Sequence, residues 1–193
     1  MQKELAKLCS DDRTRFGKSK KVCSSIMSTA LDILTPAGKV TKEQELHAYV
    51  IFQRYHPGYT IKHTDKDKPE PFDGWLMQDG KVRALVETKC RADVDYHEFV
   101  RRYKNTWLIT EAKIKYAADC ARRERVPLLG FLYIVRGQVL LVKKLTDKNG
   151  AVIEHRTEKT KTQATVNGGL AERLNAFIDM TGCEPMQMLG RIA

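Results

Sequence analysis

Residues 69–91 read "PEPFDGWLMQDGKVRALVETKCR". Two apolar runs, Trp75 to Met77 and Val82 to Val86, flank Asp79-Gly80, and the stretch predicts a hairpin of two strands. An acid, Asp73, opens the first run and Glu87-Thr88-Lys89 closes the second, so charged groups gather at the hairpin's mouth. Positions i and i+2 of a strand share a face; Glu87 and Lys89 therefore converge while Thr88 turns away. Whether Asp73 joins them depends on the turn. A two-residue Asp79-Gly80 turn alone pairs Gln78 with Lys81 and sets Asp73 opposite Val86, off the face of Glu87. A three-residue loop, Gln78-Asp79-Gly80, or a bulge nearby returns Asp73 to that face. A joint site requires one or the other.

A second Glu-x-Lys triplet, Glu111-Ala112-Lys113, opens a helical pattern, where positions two apart point in different directions. Only the strand-borne triplet has convergent geometry.

Upstream, "TKEQELHAYVIFQRYH" (41–56) places Leu46, Tyr49, Val50 and Gln53 at helical spacing, with Thr41 as N-cap and Pro57-Gly58 as the stop. "YTIKH" is a short strand and "TDKDKPEP" a polar loop. Downstream, "DVDYHEFVRRYKNTWLIT" is a helix or a loop over the sheet, and "EAKIKYAADCARRER" a helix ended by Pro127. The fully apolar "PLLGFLYIV" predicts a central strand, followed by a strand in "QVLLVKKL". Asn149-Gly150 predicts a hairpin into "AVIEHRTEK", and "LAERLNAFIDM" a closing helix. This order predicts an α/β (α+β) fold with a mixed central β-sheet flanked by helices. In a single domain, residues 1–40 form a basic helical extension, 41–145 the core, and 146–193 a C-terminal hairpin and helix.

At 193 residues, 42% hydrophobic and 30% charged, the composition is that of a globular domain. No apolar run reaches bilayer length and no signal-like apolar region follows the N-terminus, so a cytoplasmic protein without a membrane partner is expected. Cys9, Cys23, Cys90, Cys120 and Cys183 form no C-x-x-C pair, which predicts reduced thiols rather than structural zinc. Gly17-Lys18-Ser19 has Asp12 where a P-loop needs glycine. His47, His56, His63, His97 and His155 show no pairing of a catalytic triad and read as surface or loop residues. The net charge of +10 points to a polyanionic partner.

Two carboxylates meeting at a sheet edge repel unless a cation lies between them. Hard oxygen donors suit Mg²⁺ or Mn²⁺, and Mg²⁺ takes one or two protein carboxylates plus water and substrate phosphate. A nearby ammonium stabilises charge building on a phosphate. On a basic chain, this chemistry predicts hydrolysis of a phosphodiester.

"PFDGW…VETKC" after "KEQELHAY" resembles the PD-(D/E)XK nuclease superfamily, the restriction-endonuclease-like fold, whose core order α-β-β-β-α-β is similar to that expected over residues 41–142. Pro71 and Asp73 fall on the first part of the motif, with Phe72 intervening where the pattern is often contiguous; Glu87, Thr88 and Lys89 fall on the second. The resemblance implies Mg²⁺ or Mn²⁺ held by Asp73, Glu87, the Thr88 carbonyl and a helix glutamate, Glu45 with Glu43 as rival. It implies that Lys89 positions the attacking water and that cleavage leaves a 5′-phosphate. It further implies a polar residue on the helix after the third strand: Lys113, on a core-facing stripe with Tyr116, Ala117 and Cys120, would reach the site with Tyr116 beside it. Arg101, Arg102 and Lys104 would grip DNA phosphates. Trp75 and Trp107 read as packing residues, Trp107 also as a base-stacking one.

Three functions follow. The first is a metal-dependent DNA endonuclease, of the kind phages or mobile elements carry, acting on duplex or branched DNA; it would nick one strand or, as a homodimer with two sites, cut both. The second is a non-catalytic nucleic-acid-binding protein on the same fold, and the third a structure-specific resolvase or exonuclease.

Overall fold

The computed structural model describes residues 36–65, 70–163 and 170–188. Its elements run α1 (Pro36–Tyr55), β1 (Thr60–His63), β2 (Gly74–Gln78), β3 (Lys81–Arg91), α2 (Tyr96–Tyr103), β4 (Thr106–Thr110), α3 (Glu111–Glu124), β5 (Leu128–Ile134), β6 (Val139–Lys144), β7 (Arg156–Gln163), β8 (Leu170–Asp179) and β9 (Met186–Gln187). A six-stranded sheet in the order β1-β2-β3-β5-β6-β9 forms the centre, and β4-β8-β7 form a second, antiparallel sheet. β3 and β5 are parallel. A parallel pair needs a long crossover, and the chain between them supplies it with α2, β4 and α3. The fold is thus mixed α/β, with the expected helix-strand-strand-strand-helix-strand order interrupted by α2 and β4.

β5 is buried at every position because each face supports a core. Leu128, Leu132 and Ile134 pack with Trp107, Ile114, Ala121 and Ile178 on one side. Leu129, Phe131 and Tyr133 pack with Ala48, Ile51 and Phe52 of α1 on the other. The layers are α1, the six-stranded sheet, and then α3 with the small sheet. Trp107 is fully buried and Trp75 packs against the same core, so both are packing residues.

Gly130 interrupts this apolar strand for a steric reason. The Trp107 ring of β4 lies where a Cβ at position 130 would be. Gly130 is also the ladder partner of Glu87, so its missing side chain lets the indole roof the sheet beside that acid.

Several local expectations differ from the structure. α1 starts at Pro36, a residue suited to a first helical turn, so Thr41 lies inside the helix rather than capping it. Its buried face carries Glu45, Ala48, Tyr49 and Phe52, while Leu46 and Val50 are 43% and 47% exposed. The predicted stripe is rotated because a buried glutamate breaks the apolar pattern. Residues 93–110 divide into α2 and β4; Asp95 accepts from Glu98 N at 2.8 Å and Glu98 accepts from Asp95 N at 3.2 Å, a reciprocal cap that fixes the start of α2.

Residues 170–180, expected to be a helix, contain β8. The strand is paired on both sides, Trp107 with Ile178 and Ile109 with Ala176 towards β4, Lys159 with Leu174 towards β7. Burial of Ala176 and Ile178 under Trp107 outweighs the helical propensity of the segment. The Asn149-Gly150 turn forms and closes on a Thr146–Val152 bridge, but β7 pairs with β8 instead of β6. The expected extension over residues 1–40 lies outside the described residues up to position 35, and residues 36–40 belong to α1.

Among the described residues, Cys90, Cys120 and Cys183 form no disulfide; Cys9 and Cys23 lie outside the described residues. No described helix is long and apolar enough to cross a membrane. Two histidines are not surface residues. His56 is buried on the Phe52 ring, and burial pushes its pKa down. His155 sits 2.9 Å from Glu111, a buried acid at the head of α3 that Lys115 also reaches at 3.4 Å. The second Glu-x-Lys triplet therefore spends its glutamate on holding the segment before β7.

Gly130→Ala is expected to cost about 1–3 kcal/mol by overpacking against Trp107. The loss should shrink in a Trp107→Leu background. Urea unfolding of the two single variants and the double variant checks this, and strict additivity would contradict it.

Candidate active site

The hairpin turn is the two-residue form, with Asp79 and Gly80 at φ 51° and 70° and Gln78 paired with Lys81. By itself it would turn Asp73 away from Glu87. A bulge corrects the parity: Met77 pairs with Val82 but Leu76 with Ala84, leaving Arg83 as the extra residue of β3. The register then runs Trp75 to Leu85 and Gly74 to Val86, and its continuation sets Asp73 opposite Glu87. The second of the two geometries that a joint site requires is the one present.

β3 runs five residues beyond Val86, its last partner in β2, and leaves an open edge there. The backbone of Val86 faces β2, its carbonyl accepting from the Asp73 N–H at 2.8 Å. Two residues on, the Thr88 backbone faces the same edge. Asp73 closes that edge with its side chain: Oδ2 accepts the Thr88 N–H at 2.7 Å. Buried Thr64 fixes the Asp73 backbone in turn, its N–H and Oγ1 each donating to the Asp73 carbonyl at 3.1 Å. On the α1 side of the sheet, Thr88 Oγ1 meets the buried Tyr49 hydroxyl at 2.9 Å.

Glu87 is buried, and Lys113 Nζ of α3 donates to its Oε1 at 2.6 Å. Burial and then the Asp73 carboxylate push the Glu87 pKa up to about 7, against the pull of Lys113. Glu87, first of all, holds the Lys113 pKa above the usual lysine range. Glu45 is buried on α1 one turn before Tyr49, and its charge acts on Glu87, Lys113 and Tyr49 alike. Glu43 is exposed, so Glu45 is the helix acid at the cluster. Burial, with the carboxylates of Asp73, Glu45 and Glu87, raises the Tyr49 pKa. Lys89 shares the Glu87 face of β3 and is exposed. Desolvation, with the charges of Lys113 and Arg91 nearby, lowers its pKa.

The structure thus brings Asp73, Glu87, Thr88, Glu45, Lys113 and Lys89 together from the loop before β2, from β3, α1 and α3. Lys113 is not on the core-facing stripe of α3. That stripe is Ile114, Ala117, Ala118 and Ala121, and Lys113 beside it is 47% exposed at its side chain. Tyr116 is 46% exposed and takes no part in the cluster's contacts. Arg101, Arg102 and Lys104 lie on and just after α2. Tyr49 and Thr64 were not anticipated as site residues; the one available signal was Tyr49 at i+4 from Glu45.

The donor set fits a hard divalent cation. Glu87 Oε2 is buried without a hydrogen-bond partner, and Asp73 and the Thr88 backbone meet at the same open edge. Among the described residues no three His, Cys, Asp or Glu side chains form a metal-binding group. Two carboxylates are nonetheless the complement Mg²⁺ uses when water and phosphate complete its shell. A scan against protein-family models and a search of curated proteins find no match for the chain.

The Glu87 pKa of about 7 lies above the usual 4.5. The stability linked to the protonated acid is therefore full below about pH 4.5 and is lost as pH rises through about 7, a loss of roughly 3 kcal/mol. Lys113, raised above its usual value, holds its contribution throughout that window. Glu87→Gln should accordingly gain on the wild type between pH 4.5 and pH 8 in urea unfolding. Lys113→Met should lose more stability at pH 8 than at pH 5. Parallel pH profiles for all three chains would contradict this.

Proposed function

We propose that the chain is a metal-dependent nuclease of the PD-(D/E)XK superfamily that hydrolyses phosphodiester bonds in DNA. The observation that carries this reading is the convergence of Asp73, Glu87 and Lys89 at the open edge of β3, which the bulge at Arg83 makes possible. The Mixed α/β order and the buried helix acid Glu45 support it.

Asp73, Glu87 and the Thr88 carbonyl would hold Mg²⁺ or Mn²⁺, with Glu45 supporting them. When bound, that cation supplies charge neutralisation for the phosphate and a lowered pKa for water. Lys89, exposed and with its pKa lowered, positions the attacking water and meets charge building on the phosphate. Lys113 compensates Glu87 while the site waits for substrate. Attack by the water oxygen on phosphorus breaks one P–O bond, and the leaving oxygen takes up a proton. The net charge of +10 supports a polyanionic substrate.

One observation favours a second reading, a nucleic-acid-binding protein without catalysis: the Lys113 ammonium gives Glu87 a partner with no metal required. Plasmid cleavage separates the two. The nuclease reading predicts nicking or linearisation in Mg²⁺ or Mn²⁺, none in EDTA, and a loss of at least about a hundredfold in Asp73→Ala and Lys89→Ala. Salt-sensitive binding with no cleavage of plasmid, branched or single-stranded DNA would favour the binding protein.

A further inference from the structure

Glu87 and Lys89 do not end the row of charged side chains on their face of β3. Arg91, the last residue of the strand, continues it at i+4. Its guanidinium lies 5.4 Å from the centroid of the Tyr103 ring, and the Arg102 guanidinium lies 5.4 Å from the same ring. Tyr103 is itself braced, packed against the core and stacked on Phe99 at 6.4 Å. Arg101 and Lys104 flank it at the end of α2.

Two acids of α2 near this group are engaged elsewhere. Asp95 and Glu98 are committed to capping α2. Among the described residues, Arg91, Arg101, Arg102 and Lys104 form no ion pair with a carboxylate. Two guanidiniums on one aromatic ring, neither ion-paired with a carboxylate among the described residues, make an anion seat. A guanidinium laid on a ring keeps its N–H edge free, the geometry that binds a phosphate through two parallel hydrogen bonds. A ring that carries two guanidiniums is not offering itself to a base. The chemistry is that of backbone contact, not of base reading.

We propose that Arg91 and Arg102, held on Tyr103, form a phosphate seat that grips the substrate strand away from the point of cleavage and without regard to its sequence. The seat deepens the nuclease reading and rests on it for the identity of the strand. Four strand residues separate Arg91 from Glu87, about 13 Å at roughly 3.3 Å each. Arg91 and Arg102 are the phosphate contacts; Tyr103 is a positioning residue that acts through them.

The test is fluorescence anisotropy of a labelled duplex oligonucleotide titrated with the full chain in EDTA, at several salt concentrations and with two unrelated sequences. Arg91→Ala should flatten the plot of log affinity against log salt by about 0.9, the loss of one phosphate contact, equally for both sequences. Arg91→Lys, which keeps the charge but not the fork, should retain most of the slope while binding more weakly. Tyr103→Leu should reproduce part of the Arg91→Ala loss and add little to it, whereas Tyr103→Phe should restore wild-type binding. Wild-type slope and affinity in both Arg91→Ala and Arg102→Ala would overturn the seat. With plasmid cleavage intact, that result leaves the nuclease reading standing. A flattened slope in a chain whose wild type does not cleave would instead keep the seat and remove the nuclease reading. Absence of salt-dependent binding by the wild type would remove both.

Discussion

One extra residue in β3 decides what the hairpin can do. Side chains on a strand alternate, so a shift of one position moves every charged group beyond the shift to the opposite face. The tight Asp79-Gly80 turn alone would leave Asp73 facing one way and Glu87 the other. Arg83, unpaired between Val82 and Ala84, shifts the register, and Asp73 comes opposite Glu87. Because β3 outruns β2, this pairing falls where no backbone partner remains, and the Asp73 carboxylate takes the Thr88 N–H in place of a strand. The same parity carries Lys89 and Arg91 to the face of Glu87. The bulge thus brings Asp73 to a side-chain row that alternation alone sets along β3.

Burying Glu87 is costly, and much of the surrounding structure bears on that cost. Gly130 next to it in the ladder admits the fully buried Trp107 ring. Asp73 adds a second negative charge. Lys113 offsets both with one short ion pair, and Glu87 Oε2 remains without a hydrogen bond. Such an acid is poorly suited to stabilising a fold; a hydrophobic residue of similar size would serve better there. Its retention makes chemical sense if a cation and a phosphate share the site.

Much of this was legible in the chain. Asp79-Gly80 between two apolar runs announced the hairpin, and alternation alone showed that Asp73 and Glu87 meet only with a changed loop or a bulge. The unbroken apolar run at 127–135 announced β5, whereas Glu45 and its rival Glu43 were separated only by their burial in the fold. What escaped were features set by tertiary contact. β8 has the local character of a helix and is a strand because Trp107 and Ile109 pair with it. The face of α1 was misjudged because its inner stripe contains Glu45, which reads as solvent-facing until the cluster of acids and Lys113 is in view. Lys113 was found for a partly mistaken reason: it flanks the apolar stripe and reaches Glu87 from its edge. Thr64 and Tyr103 act through backbone contacts and ring stacking that no short motif encodes.

The central claim is that the mouth of the hairpin is a cation site, and metal binding tests it without recourse to catalysis. Titration of the chain with Mn²⁺, followed by electron paramagnetic resonance of the free ion, should show saturable binding that Mg²⁺ competes away. Asp73→Asn and Glu87→Gln, both folded by urea unfolding, should lose it. Saturable binding that survives in both variants, or a folded wild-type chain that takes up no Mn²⁺ with or without DNA present, would contradict the account.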